Sequence, residues 1–187
     1  MRLRYLVGFI LVIVLVIFLF TFVFHSSSPS KKVSAPPSLS TLANTDDVVQ
    51  YTQDGVINAD QDHRAIRITI GQAVSDVSII QGYQGNVINS DQYPNNQAAY
   101  SAFLNALVLE DYTTKLKTSY VYNNAVCPLG QRFTFEIIDG SGNVLQNLWS
   151  TSCGAGNFGG DLGNTQTLFT DQIPDYSVVT QNVSLQQ

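Results

Sequence analysis

The sequence predicts an α+β fold, in which an antiparallel sheet carries one main helix on a face, preceded by an N-terminal transmembrane helix. Three observations support this prediction. Residues 5–24 form one uncharged apolar run, several later stretches alternate apolar and polar residues as β-strands do, and residues 100–108 repeat apolar residues at helical spacing. Strands on both sides of a single long helix favour α+β over alternating α/β. A β-sandwich with an inserted helix is the alternative.

Residues 1–24 are predicted to form a transmembrane anchor. Arg2 and Arg4 precede the uncharged run 5–24. About 20 helical residues span the roughly 30 Å of a bilayer's hydrocarbon core, whereas a cleaved signal peptide has a shorter apolar region, about 7 to 15 residues. The two arginines favour a cytoplasmic N-terminus. We therefore expect a single-pass protein of the cell membrane, held in the lipid bilayer through residues 5–24, with its domain outside.

A linker and one folded domain follow the anchor. Residues 25–46 are rich in Ser, Pro and Thr without an apolar period, which is typical of a segment that does not fold. Residues 47–187 are long enough for one α+β domain, and we expect the tail after about residue 177 to be disordered. From Asp47 onward the chain has 5 basic and 13 acidic residues, a balance of −8. This charge repels nucleic acid, so no nucleic-acid partner is expected.

The strands are predicted from alternating or β-branched runs that end in turn residues. In the first of them, the strand ends in a turn at Asp54 and Gly55. The clearest alternates Ile66, Ile68 and Ile70 with polar residues. Before the cysteines, the predicted strand regions are residues 47–58, 63–71, 76–83, 85–89 and 117–123.

The main helix is predicted to follow Pro94, with Asn95 or Asn96 as its N-cap, and to end near Asp111. Its apolar residues form a single stripe, which indicates a face packed on the sheet. A second, short helix is predicted within residues 165–173, before Pro174. The stripe consists of Tyr100, Phe103, Leu104, Leu107 and Val108.

The only two cysteines, Cys127 and Cys153, are predicted to form a disulfide at the base of a hairpin. Residues 132–137 alternate as a strand does, residues 139–143 (DGSGN) form a turn, and residues 144–150 return. The midpoint of the two cysteine positions is residue 140, inside the turn, so we expect the cysteines to face each other. A lasting disulfide needs an oxidising compartment and agrees with a domain outside the membrane. The sequence leaves undecided which residues of the returning strand face the core: either Leu145 and Trp149, or Val144 and Leu148.

No cofactor or metal is expected. Residues 154–159 (GAGNFG) match the GxGxxG pattern of dinucleotide-binding loops, but they follow a hairpin strand and open no helix of a βαβ unit. Near Asp54 the sequence resembles the calcium loops of EF-hand and dockerin-like modules. However, Gln50 and Gln61 occupy the first and twelfth positions, where calcium needs carboxylates. Candidate oxygen ligands are limited to Asp54, Asn58, Asp60 and Asp62.

Several tyrosines are candidate ligand contacts, because they lie near asparagine and glutamine residues. A rigid aromatic ring beside adaptable hydrogen-bonding groups suits contact with glycans or peptides. The candidates are Tyr83, Tyr93, Tyr120 and Tyr122.

The sequence shows no catalytic constellation. Residues 60–64 (DQDHR) hold two carboxylates and His63, and the simplest interpretation is solvated charge before a strand. We therefore expect a non-enzymatic binding or accessory module for an envelope or surface component, either a protein or a glycan. The alternative is a membrane-anchored hydrolase of envelope glycans or peptides that uses carboxylates such as Asp60 and Asp62. A cleft with two facing carboxylates would favour the hydrolase.

Overall fold

The computed structural model describes residues 38–120 and 126–186. The predicted transmembrane anchor and residues 25–37 of the predicted linker lie outside this part of the chain. Among the described residues, no helix has both the length and the apolar character needed to cross a bilayer. The described residues form six strands and four helices, which confirms the predicted α+β class.

The elements follow one another along the chain in this order: α1 (Leu39–Leu42), β1 (Val48–Asp54), β2 (Arg64–Ile70), β3 (Val74–Gln81), β4 (Asn86–Pro94), α2 (Gln97–Leu109), β5 (Arg132–Ile138), β6 (Val144–Thr151), α3 (Leu162–Thr170) and α4 (Tyr176–Thr180).

All six strands belong to one antiparallel sheet with the order β4-β3-β2-β1-β5-β6. Strands β1 to β4 form a meander in which each strand pairs with the next. After α2, the chain returns to the free edge of β1, where β5 pairs with β1 and β6 pairs with β5. The described residues thus form one sheet, and the β-sandwich alternative is not observed.

The helix α2 packs on one face of this sheet as its apolar stripe predicts. Asn96 is its N-cap, and the Asn96 side chain accepts a hydrogen bond from the Ala99 N–H at 3.0 Å. The first four residues of the stripe are buried, but Val108 is 50% exposed, so the predicted stripe is one residue too wide. At 3.6 residues per turn, Val108 lies about 80° around the helix axis from Tyr100, at the edge of the buried sector.

A cluster of aromatic rings fills the centre of the core. Phe135 stacks on Phe158 with ring centroids 4.3 Å apart, and Tyr112 lies 5.9 Å from Phe135 in an edge-to-face arrangement. The Tyr112 hydroxyl donates a hydrogen bond to the Glu136 carbonyl oxygen at 3.0 Å, so this buried polar group is satisfied. Burial raises the pKa of Tyr112 well above its ordinary value. The same cause raises the pKa of Tyr51, whose ring stacks on Phe135.

Both ends of the described chain pack on the domain. The helix α1 lies within the predicted linker 25–46, and its Leu39 and Leu42 are buried in the core. The folded unit therefore begins before Asp47. At the other end, the residues after 177 continue α4, and Leu185 is buried where its carbonyl oxygen accepts a hydrogen bond from the Val56 N–H at 3.1 Å.

The cysteine hairpin forms as predicted, and its two cysteines lie at disulfide distance, with Cα atoms 5.9 Å apart. The predicted register is displaced by three residues. The β5–β6 ladder, in which Phe135 pairs with Leu148, would place Gly130 opposite Cys153 if it continued. Cys127 reaches its partner through a turn in which the Gly130 N–H donates to the Cys127 carbonyl oxygen. A side chain at Gly130 would collide with the Cys127 sulfur, which explains the glycine.

Strand β6 buries neighbouring side chains on opposite faces of the sheet. Leu148 belongs to the core, whereas Trp149 is buried on the other face, and Val144 and Leu145 are both exposed. Neither predicted pair is therefore correct as a pair. The chain that follows β6 returns beside Trp149, where the Asn157 and Phe158 N–H groups donate to the Trp149 carbonyl oxygen and the Asn157 side chain accepts from the Trp149 N–H.

Three other elements have bounds that differ from the predicted ones. Strand β4 continues to Pro94 rather than ending near residue 89, because it pairs with the whole length of β3. Residues 117–120 form no strand, and residues 121–123 lie outside the described part of the chain. The short helix α3 begins earlier than predicted, because the Asp161 side chain caps it by accepting a hydrogen bond from the Asn164 N–H at 2.8 Å.

Candidate functional site

The sheet has a second face that the helices do not cover, which we call the open face. Successive strand residues point to opposite sides of a sheet. Tyr51, Ile68 and Phe135 are register partners on the helix side, so the residues that alternate with them lie on the open face. On the inner strands these residues are Gln50, Thr52, Asp54, Ala65, Arg67, Thr69, Asp76, Ser78, Ile80, Arg132, Thr134 and Glu136.

A cavity of about 360 Å³ lies on the open face. The side chains of β1, β2 and β5 line its floor, and His63 and the turn after β3 line its side. A volume of this size falls in the range of small-ligand sites, about 300 to 1,000 Å³. The lining consists of Gln50, Thr52, Asp54, His63, Ala65, Arg67, Ile80, Gly82, Tyr83, Gly85, Arg132, Thr134, Glu136 and Asn147.

His63 is held in the cavity wall by contacts at both ring nitrogens. Nε2 lies 3.4 Å from Asp54 Oδ1, and Nδ1 lies 3.3 Å from the Val56 carbonyl oxygen. The ring stacks on Tyr83 with centroids 4.1 Å apart. Only 2% of His63 is exposed, so the interpretation of this residue as solvated charge is wrong. The loop before β2 folds back on itself, since the His63 N–H donates to the Ala59 carbonyl oxygen, and this brings the ring inside.

Arg132 is buried beneath the cavity without a charged partner. Only 2% of the residue is exposed, and its Nε and Nη1 groups have no hydrogen-bond partner. Asp54 is its register partner on β1, but within the described residues the carboxylate of Asp54 contacts the His63 ring and forms no ion pair with Arg132. Arg132 therefore forms no ion pair with another residue of the described domain. An unpaired buried cation is costly for a fold.

Glu136 and Arg67 also line the cavity and, like Arg132, form no ion pair within the described residues. Glu136 accepts hydrogen bonds from the side-chain amides of Gln50, at 2.7 Å, and Asn147, at 2.6 Å. Its carboxylate is thus satisfied by neutral donors and forms no ion pair within the described residues. Arg67 also lines the cavity, and its buried Nε has no hydrogen-bond partner. The two arginines and the two carboxylates lie on one surface without pairing with each other.

A second cavity of about 610 Å³ adjoins the first, since Asn147 lines both. It lies between β6 and the chain that follows α2. Lys115, Lys117, Tyr120 and Trp149 contribute to its wall. Tyr120 is 56% exposed there. The open face therefore offers two neighbouring depressions, each with two cations.

The predicted oxygen ligands do not form a metal-binding cluster. Asp54 contacts His63, and Asp60 accepts a hydrogen bond from the Tyr83 N–H at 2.8 Å. Asn58 engages the Tyr83 hydroxyl through its backbone N–H and carbonyl groups. Asp62 is exposed. No group of three His, Cys, Asp or Glu side chains is placed to hold a metal ion among residues 38–120 and 126–186.

The predicted contact tyrosines are separated in the structure. Tyr83 lines the first cavity and Tyr120 the second. Tyr93 lies on the helix side of the sheet, partly buried against the core, and burial raises its pKa. Tyr122 lies outside the described residues. Of the three tyrosines that the structure describes, Tyr83 and Tyr120 thus line the two cavities and Tyr93 does not.

Sequence reasoning missed the arginines of the site. Arg132 and Glu136 are the polar members of an alternating strand, and such residues are ordinarily solvent-facing. Their proximity to Arg67 depends on the pairing of β5 with β1, which no local pattern indicates. Comparison of the chain with models of known protein families and with curated proteins gives no match.

Proposed function

We propose that this protein is a membrane-anchored, extracytoplasmic binding module whose ligand site is the cavity on the open face. The observation that carries the proposal is a preformed polar cavity with the buried, unpartnered guanidinium of Arg132 in its wall. The apolar run 5–24 supports the anchor, and the Cys127–Cys153 pair supports an oxidising location for the domain.

The geometry supports binding better than hydrolysis. Asp60 and Asp62, the carboxylates of the alternative hydrolase, do not line the cavity. Asp54 and Glu136 do line it. However, Asp54 contacts His63, and Glu136 accepts hydrogen bonds from the side-chain amides of Gln50 and Asn147. Both ring nitrogens of His63 contact protein groups, and only 2% of the residue is exposed.

The lining favours a glycan over a protein as the envelope component that binds. Polar side chains form most of the wall, among them the amides and hydroxyls of Gln50, Thr52, Thr134 and Asn147, and its aliphatic side chains are Ala65 and Ile80. These groups match the hydroxyls of a sugar. A protein partner normally inserts large apolar anchors into an interface, and this cavity has no apolar pocket to receive them.

The proposal is tested by filling the cavity. Thr52→Trp places an indole on the cavity floor, and Ser90→Trp places one in the same cross-strand row of the open face, on exposed β4 outside the cavity. Full-length chain in detergent is titrated with soluble fragments of envelope glycans, and binding is measured by calorimetry. We expect Ser90→Trp to bind as the parent chain does and Thr52→Trp to lose binding while it keeps its thermal unfolding transition.

Two results would contradict the proposal. The first is equal glycan binding by the Thr52→Trp chain and the parent chain, which would place the site elsewhere. The second is conversion of the fragments into smaller products by the parent chain, measured by mass spectrometry, because a hydrolase rather than a binding module would then be present.

A further inference from the structure

We infer that the ligand is an acidic oligosaccharide, and that Arg132 and Arg67 hold one of its carboxylates in the first cavity. This inference rests on the proposed function and specifies its ligand. The first observation is the distribution of charge. From Asp47 onward the chain is acidic, with a balance of −8, yet four of its five basic residues line the two neighbouring cavities.

The second observation is that both arginines have buried donors that no protein group satisfies. Nε and Nη1 of Arg132 and Nε of Arg67 are buried and have no hydrogen-bond partner. Neither guanidinium forms an ion pair within the described residues. Both residues lie on the open face and flank Thr52 and Asp54 of the intervening strand β1. A planar guanidinium with free donors matches a carboxylate in geometry and charge.

Asp54 and Glu136 line the same cavity as the arginines, so two negative charges accompany the two positive ones. A carboxylate is therefore recognised there by hydrogen bonds to the planar guanidinium groups rather than by a net positive charge of the cavity. The hydroxyls of Thr52 and Thr134 remain to bind sugar hydroxyls, because the amides of Gln50 and Asn147 already donate to Glu136. A saccharide with one carboxylate per ring fits both sets of groups.

The second cavity extends the site along the ligand. Lys115 and Lys117 line it, and Asn147 is shared with the first cavity. An oligomer that places one carboxylate between the arginines therefore brings its next acidic ring toward the lysines. The exposed rings of Tyr120 and Tyr83 lie in the two walls, where a sugar can stack on an aromatic face.

The test uses full-length chain and three probes: trigalacturonate, its fully methyl-esterified form, and the peptide triglutamate. Esterification removes the charge and keeps the sugar shape, whereas triglutamate keeps carboxylates and removes the sugar. We expect trigalacturonate to bind at least ten-fold more tightly than either of the others, as measured by calorimetry in dilute salt. Equal binding of the ester would overturn the role of the carboxylate. Tighter binding of triglutamate would overturn the saccharide and indicate a protein ligand.

Variants connect the affinity to the named residues. We expect Arg132→Met and Arg67→Gln each to weaken trigalacturonate binding at least ten-fold. Arg64→Gln is the matched control, because Arg64 donates to the carbonyl oxygens of Gln61 and His63 and does not line the cavity. Thermal unfolding identifies any variant that fails to fold. If Arg132→Met fails to fold, the binding of trigalacturonate to Arg67→Gln decides the outcome. Equal weakening by Arg64→Gln would show nonspecific charge attraction and overturn the inference.

The two proposals can fail separately. If the methyl ester binds and Thr52→Trp abolishes that binding, the cavity is a ligand site and the carboxylate inference is wrong. If trigalacturonate binds equally well to the Thr52→Trp chain, the proposed site itself is wrong. If none of the three probes binds, the acidic-saccharide inference is overturned, and the envelope-glycan titration decides the proposed function.

Discussion

Replacement of Arg132 by methionine tests whether this arginine is retained for ligand binding at a cost in stability. The guanidinium is buried, two of its nitrogens lack hydrogen-bond partners, and it forms no ion pair within the described residues. Each unsatisfied buried donor destabilises a fold by about 1 to 3 kcal/mol. Methionine keeps an unbranched stem in the same space and removes both orphan donors. Because the contacts of the removed guanidinium group are lost as well, we expect a net rise in the free energy of unfolding of only about 1 to 3 kcal/mol. Each kcal/mol corresponds to a rise of about 2 to 4 °C in Tm.

The assay is thermal and urea unfolding of the full-length chain, followed by the fluorescence of Trp149, the only tryptophan and a buried one. Arg64→Met is the control, because the Arg64 guanidinium donates hydrogen bonds at 2.7 and 2.9 Å to backbone carbonyl oxygens. Its loss should lower the free energy of unfolding by about 1 kcal/mol. A greater loss of stability in Arg132→Met than in Arg64→Met would refute the reasoning, since Arg132 would then support the fold.

Three further predictions concern the core and the hairpin. Burial raises the pKa of Tyr112 above its ordinary 10.0, so the unfolded state loses the phenolic proton first. Its contribution to the free energy of unfolding should be constant below about pH 10 and then fall by about 1.4 kcal/mol per pH unit, and Tyr112→Phe should remove that part of the slope in urea unfolding at pH 8 to 11. Cys127→Ala with Cys153→Ala should lower the free energy of unfolding by about 3.5 kcal/mol, because the pair closes a loop with a sequence separation of 26; maleimide labelling of unreduced parent chain would contradict the pairing. Leu104→Ala should cost about 3 to 5 kcal/mol and Val108→Ala less than about 1 kcal/mol, since only Leu104 is fully buried; equal losses in urea unfolding would contradict the helix orientation.

Local patterns predicted the elements whose own residues decide them. The alternation around Ile66 and around Phe135 predicted two strands, and the stripe from Tyr100 to Leu107 predicted the buried side of α2. These predictions hold because each pattern corresponds to a face that the element must bury. The end of β4 was not predictable in this way, because pairing with β3 rather than its own exposed sequence extends it to Pro94.

The candidate site could be predicted only in part. The sequence indicated Tyr83 as a candidate ligand contact and Asp54 as a candidate oxygen ligand, and both line the cavity. The position of His63 depends on a loop that folds back, and that of Arg132 on strands far apart in sequence. The apolar–polar alternation of residues 132–137 predicted that Arg132 lies on the sheet face opposite to Phe133 and that this face is exposed to solvent. The sequence pattern contains no information on the neighbouring strands that bury it.

The pairing of β5 with β1 has a consequence for the order in which the molecule is made. Asp54 and Arg132 are register partners 78 positions apart. A growing chain that has completed the four-strand meander and α2 holds Asp54 and Arg67 but has not yet received Arg132, Thr134 or Glu136. Contacts of such long sequence separation form late and slowly. The proposed ligand site is therefore incomplete until the chain has reached β5 and β6, so a chain truncated after α2 is expected not to bind the proposed ligand.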